Sequence, residues 1–181
     1  MPGHLNVTNA SVSPISRAWL AARSLFWTIV FPGFFAGYLP WRFFGLRSVG
    51  VDLRTPWHWV GLLLICLGAA LLAACIFEFA RSGRGTLSPV DPPSVLVVRG
   101  LYRYVRNPMY LSVTLIVWGE ILLTQSAAMF GYWIVWFAAA NLFVLRYEEP
   151  ALRRQFGSDY DRYVSTVGRW FPKSRALKPT R

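Results

Sequence analysis

Charged residues break the hydrophobic pattern of this chain at long intervals, and those intervals have the length of membrane spans. Residues 24–41 carry no charge over 18 positions and residues 55–77 none over 23, each near the roughly 20 apolar residues that cross a bilayer as a helix. Residues 107–145 form a stretch of 39 with Glu120 as its sole charge. At about 1.5 Å per helical residue this is roughly twice a hydrocarbon core of about 30 Å, so it predicts two spans that turn near Gln125-Ser126. The first span holds Phe31-Pro32-Gly33 and Gly37, which loosen or kink a helix. The second holds Gly61, Gly68, Ala69, Ala70, Ala73 and Ala74, small residues that let a neighbouring helix approach closely.

Between the second and third spans, Arg81-Ser82-Gly83-Arg84-Gly85, Ser88-Pro89 and Asp91-Pro92-Pro93 cannot continue a helix and predict an extended loop. Val95-Leu96-Val97-Val98 is too short to span anything; it reads either as loop tucked under the bundle or as one wall of a pocket. After the hairpin, Phe156, Tyr160, Tyr163, Val164, Val167 and Trp170 recur at helical spacing, opposite Arg153, Arg154, Arg162 and Arg169. That pattern predicts an amphipathic helix on the membrane surface. The expected fold is an all-α integral membrane protein: about four transmembrane helices, with a C-terminal amphipathic helix and a cytosolic loop covering a pocket. It forms one domain over residues 1–181, divided into a two-span region (1–80), a core (81–172) and a basic tail (173–181).

Composition agrees with this reading. A chain of 181 residues that is 55% hydrophobic and 17% aromatic, with nine tryptophans, is too apolar for a soluble domain. Basic residues set the orientation, because Lys and Arg stay on the cytoplasmic side during insertion. Placing both termini and the 81–106 loop inside collects 16 of the 19 basic residues there and leaves Arg42, Arg47 and Arg54 outside. The expected location is a bacterial inner (cytoplasmic) membrane with cytosolic termini. The net charge of +11 lies beside hydrophobic spans with no nucleic-acid-binding motif, so it suits anionic lipid headgroups and not nucleic acid. Cys66 and Cys75 fall on opposite faces of one helix, which predicts no disulfide. His4 and His58 have no cysteine or acidic pair beside them, so no metal site is expected. The first sixteen residues lack the pattern of a removable signal peptide.

Two polar clusters remain, and the hairpin folds them onto one membrane face. In the first, Asn107 before Pro108 is a strong helix start, with Asn expected to cap the first turn. A helix entering there turns free N–H groups and a positive dipole end outward, Arg106 adds a full charge, and the entrance can hold an anion such as an amino-acid carboxylate. Tyr102, Tyr104 and Tyr110 add rings that can meet a cation. The second cluster, Glu148-Glu149, follows directly after a span. Adjacent helical residues point about 100° apart, so one glutamate can face inward, where it can bond a ribose or an amine, while the other faces water.

The run Gly100-Leu101-Tyr102-Arg103-Tyr104-Val105-Arg106-Asn107-Pro108-Met109-Tyr110 is followed by Glu148-Glu149, Phe156-Gly157, Tyr160, Tyr163, Val167 and Arg169-Trp170-Phe171-Pro172. This ordered set resembles the isoprenylcysteine carboxyl methyltransferase and phospholipid methyltransferase superfamily of membrane enzymes, over about 90 residues from Ser82 to Pro172. The resemblance implies S-adenosylmethionine as methyl donor, bound at the cytosolic end of the helices by Ser94, Val95, Leu96, Val97, Tyr102, Asn107, Pro108, Met109, Tyr110 and Glu148. Arg106, Arg146, Glu148 and Glu149 become the catalytic candidates. The implied partners are membrane lipids and a lipophilic acceptor, with Arg146 and Glu120 as its candidate contacts. Glu120 is a carboxylate expected around the middle of the third span, where charge is costly.

Two departures bear on the acceptor. Asn107 stands where the family often has His, which removes an ionisable ring. Val144 stands where eukaryotic isoprenylcysteine enzymes carry an Arg thought to hold the substrate carboxylate, and Arg146 follows two residues later. The first expectation is carboxyl O-methylation of an isoprenylcysteine-like or other small hydrophobic acid. The alternatives are N-methylation of a lipid amine, a nicotinamide-dependent sterol-type reductase, whose helix entrance is similar, and a non-catalytic membrane subunit.

Overall fold

The computed structural model describes residues 30–52, 54–82 and 96–173, and among them the chain is a bundle of helices without strands. Residues 30–43 are helical, and they pass through a wide π-turn at Phe34–Tyr38 into α1, Leu39–Phe43. The widening follows from Pro40. Proline has no N–H and its ring collides with the carbonyl four residues back, so the turn before it opens to i→i+5 pairing. Leu39 N–H then bonds Phe34 O, and the Phe35 carbonyl is left with no helical donor. The Tyr132 hydroxyl takes that place, donating to Phe35 O at 2.6 Å. This helix forms the described part of the first span. Pro32 and Gly33, expected to loosen this helix, lie in regular α-helix, and Gly37 falls within the π-turn that Pro40 imposes.

The second span is α2, Pro56–Ser82, and the third is α3, Pro108–Thr124. They run antiparallel in close contact, and glycine is the reason. A Cβ on Gly68 would lie 2.7 Å from Ser112 O, and one on Gly61 would lie 2.8 Å from Gly119 O. His58, Gly61, Gly68 and Cys75 are the buried positions among the described side chains of α2, whereas Ala69, Ala70, Ala73 and Ala74 are exposed. Only part of the expected small-residue set is therefore used for this contact. Cys66 is exposed and Cys75 buried, on different faces as expected.

The hairpin turns at the expected pair. Gln125 adopts the left-handed conformation at φ 49° and closes α3, and Ser126 Oγ accepts from Met129 N at 3.3 Å to start α4, Ala127–Phe143. A second π-turn, Val144–Glu148, leads from α4 into α5, Glu149–Phe156, in one unbroken rod. It too ends two residues before a proline, Pro150. Pro56–Glu78 and Ala127–Phe156 are long and apolar enough to cross a membrane, and α3 is apolar over 17 residues. The chain is an all-α membrane protein.

The C-terminal region departs from the single amphipathic helix expected. Gly157, at φ 51°, breaks it, α6 covers Ser158–Thr166, and Val167 is already extended. Gly168 then pairs with Val105 in a parallel bridge. The apolar face of α6 does not simply lie on lipid: Tyr160, Tyr163 and Val167 pack against Leu96, Val98, Leu152 and Phe156. Residues 96–98 are thus tucked beneath the C-terminal helices. The loop is expected from Arg81 onward, but α2 continues through Arg81 and Ser82; residues 83–95, and the basic tail expected at 173–181 apart from Lys173, lie outside the described residues.

Candidate functional site

Both polar clusters lie at one end of the bundle, where α3 begins and the second π-turn ends. Tyr110, in the first turn of α3, donates its hydroxyl to Glu148 Oε2 at 3.3 Å. The first turn and the π-turn, 38 residues apart in sequence, thus meet as the hairpin requires. Around Tyr110 stand two indoles: Trp170 edge-on with ring centres 6.1 Å apart, and Trp136 at 6.5 Å. Trp170 is set by its own N–H, which donates to Asn141 Oδ1 at 3.1 Å.

Glu149 does not face water as expected: its side chain is 15% exposed and lies between two arginines. Arg169 approaches it with both nitrogens, Nε to Oε1 at 2.6 Å and Nη2 to Oε2 at 2.8 Å, and Arg106 Nη1 lies 2.9 Å from Oε1. These are charge-assisted, partly buried contacts of the strong two-pronged kind. Arg106 is itself only 9% exposed. Its Nη1 also reaches the Tyr160 hydroxyl at 3.4 Å, while its Nε is buried with no hydrogen-bond partner. A buried donor left without an acceptor is costly, and this one lies beside the N-terminus of α3.

Asn107 is buried, but its side chain does not cap α3. Its amide instead donates to Arg169 O at 3.4 Å, and only its backbone carbonyl joins the helix, accepting from Leu111 N at 3.3 Å. The side-chain cap expected of Asn107 is not made. The first-turn N–H groups keep no side-chain acceptor from Asn107, and they point along the positive end of the helix dipole. Pro108 occupies the first helical position as expected.

The remaining candidates are scattered. Tyr102 is buried, and its carbonyl accepts from the Tyr163 hydroxyl at 2.6 Å; burial pushes the Tyr163 phenol above the usual tyrosine value, so it remains a donor. Gly100, at φ 52°, lets the chain pass close to Glu78, whose side chain occupies the space a Cβ would need. Met109, Leu96 and Val97 are half-buried, and Ser94 and Val95 lie outside the described residues. Arg146 is exposed. Glu120 sits near the far end of α3, one turn before Thr124 and not mid-span. It is ten residues from Tyr110, about 15 Å along the helix, buried with Oε2 lacking a partner. Sequence reasoning missed Asn141, Trp136 and the inward role of Arg169. A lone Asn in an otherwise apolar span was the available signal for Asn141.

Among known families, the phospholipid methyltransferase model matches residues 56–159, more than half of the chain. No curated protein and no solved structure matches it significantly.

Proposed function

Because the chain belongs to the phospholipid methyltransferase family of membrane methyltransferases, we propose that it moves a methyl group from S-adenosylmethionine to a lipophilic acceptor at the Tyr110–Glu148 end of the bundle. The observation that carries the donor assignment is the pairing of unlike chemistries across a short distance. On one side, the start of α3 and the buried, unpartnered Arg106 Nε suit a carboxylate. On the other, the Tyr110, Trp136 and Trp170 rings with Glu148 suit a positive centre and the hydroxyls or amine beside it. A methionyl nucleoside with a sulfonium carries both. Leu96, Val97, Tyr102, Asn107, Pro108, Met109, Tyr110 and Glu148, with Ser94 and Val95, would hold it.

When bound, such a donor supplies an electrophilic methyl group for in-line displacement, a reaction governed largely by alignment. The residues do the aligning. Tyr110 holds the Glu148 carboxylate, and the flanking indoles wall the ring. Glu148 is the carboxylate available to take a proton released by the acceptor, since both oxygens of Glu149 are committed to arginines.

The acceptor reading shifts with the geometry. Arg146 is exposed and two helical positions from Glu148, hence on nearly the opposite side of the rod. It is poorly placed to hold an acid beside Tyr110. A carboxylate among aromatic rings favours an acceptor that becomes cationic, so N-methylation of a lipid amine ranks ahead of O-methylation of an isoprenylcysteine-like acid. Glu120 would touch an acceptor only beyond Val113 and Val117, which are packed shut at 4% and 0% exposure. Mass spectrometry of a membrane-lipid extract incubated with the protein and isotopically labelled donor tests the proposal: a labelled lipid amine is expected, and a labelled acid would reverse the ranking. Parallel titrations with S-adenosylhomocysteine and NADPH separate it from a reductase. Tight NADPH binding alone would overturn the donor assignment, and binding of neither would favour a non-catalytic subunit.

A further inference from the structure

The strap that follows α6 is fastened at every residue from Val167 to Trp170. The Val167 amide bonds Tyr163 O at 2.8 Å, and Arg106 N donates to Gly168 O, also at 2.8 Å. Gly168 has no room for a side chain, since a Cβ there would strike the Phe171 carbonyl. Arg169 grips Glu149 with two nitrogens while its carbonyl accepts from Asn107. Trp170 is the next residue, and its ring closes on Tyr110 and on Phe137, at 6.1 Å and 5.2 Å.

From this chain of contacts we infer that Glu149 is a positioning residue: it clamps the 167–170 strap through Arg169, so that Trp170 forms a wall of the site and Glu148 alone of the pair meets the ligand. The inference rests on the methyltransferase reading for the identity of that ligand. Its physical basis is that Glu149 lies between two guanidinium groups, Arg106 from the entrance of α3 and Arg169 from the strap. Neutralising Glu149 leaves two like charges facing each other, and the weaker-held partner, the strap, is the one that moves. Trp170, one residue away, is then left with its Asn141 hydrogen bond and its ring contacts, and its placement on Tyr110 loosens. The two adjacent acids thereby have separate tasks, one toward the ligand and one toward the wall.

The test uses full-length protein in lipid nanodiscs, with S-adenosylhomocysteine affinity by calorimetry and amide hydrogen exchange over residues 158–173. Glu149→Gln and Arg169→Ala are each expected to weaken binding about tenfold and to release exchange protection in the strap, with the double variant no worse than either single one. Arg169→Lys keeps the charge and loses the fork, and should recover part of the affinity. Trp170→Ala should lose affinity with the rest of the strap still protected. Should Glu149→Gln not fold, Arg169→Lys and Trp170→Ala carry the test. Loss of affinity in Glu149→Gln with full affinity in Arg169→Ala would mean that Glu149 touches the ligand itself, and would overturn the inference. Strap protection unchanged in Glu149→Gln sinks the clamp alone. Wild-type protein that binds no S-adenosylhomocysteine sinks the donor reading and the positioning role with it.

Discussion

Two neighbouring glutamates with identical chemistry end up with unlike surroundings because a helix turns about 100° between them. Glu148 meets one phenol, and Glu149 meets two guanidinium groups. The charge on Glu148 is the one expected to reach the donor. A hydrogen bond to a charged group contributes about 1.5–3 kcal/mol, so Glu148→Gln should weaken S-adenosylhomocysteine binding by roughly 10- to 100-fold. Tyr110→Phe removes only the hydroxyl and should cost a few-fold, whereas Tyr110→Ala also removes a wall and should cost more. Calorimetric titration checks all three, and full affinity in both Glu148→Gln and Tyr110→Ala would remove the site. Arg146→Ala separates the acceptor classes: unchanged acceptor KM agrees with an amine, while a rise of about tenfold would point to an acid held by that arginine. That the two glutamates would face different surroundings was legible in the sequence, while the choice of Glu148 for the donor came from the resemblance alone. The partner of Glu149 was not legible, since Arg169 continues the helical spacing of the basic face although the helix has already ended at Thr166.

At the scale of elements, the lengths of the charge-free stretches located the second span and the hairpin, and local chemistry decided their shape. The Gln125-Ser126 turn was readable because one polar pair divides an apolar stretch too long for a single crossing. The π-turns were not. A proline can break, kink or widen a helix, and the outcome depends on a distant group such as Tyr132, 97 residues from the carbonyl it serves. Tyr132→Phe should therefore lower stability by about 1 kcal/mol, typical of a lost hydrogen bond inside a membrane. A thermal-unfolding comparison reads this directly, since the ring contact with Phe44 survives the change. Glycines on α2 make a sharper contrast. Gly68→Val forces atoms against the Ser112 carbonyl and should cost about 1–3 kcal/mol or more. Ala70→Val, on the exposed side of the same helix, should be nearly neutral. Equal losses in the two variants would mean that the glycine contact does not hold α2 to α3.

For the whole molecule, the antiparallel order of α2, α3 and α4 puts the Tyr110–Glu148 site at one end of the bundle. The loop carrying Arg42, Arg47 and Arg54 lies at the other end, with Trp41 and Trp57 beside it. Arg47 lies over the Trp41 ring at 5.7 Å and Arg42 over Phe43 at 5.1 Å, an arrangement in which basic and aromatic side chains share the interface between water and lipid. These arginines oppose the positive-inside bias, but in the sequence the basic residues expected on the cytosolic side outnumber them by sixteen to three. The site should therefore face the cytosol, where a charged, water-soluble donor is present. In a background with Cys66 and Cys75 replaced by Ser, a single cysteine at Ser48 should react with a membrane-impermeant maleimide added to whole cells. A single cysteine at Ser165, on exposed α6, should react only after the membrane is opened. The opposite labelling pattern would turn the site toward the outside and separate it from any cytosolic donor. The methyl-transfer assignment would then fail on topology, whatever the local geometry around Tyr110.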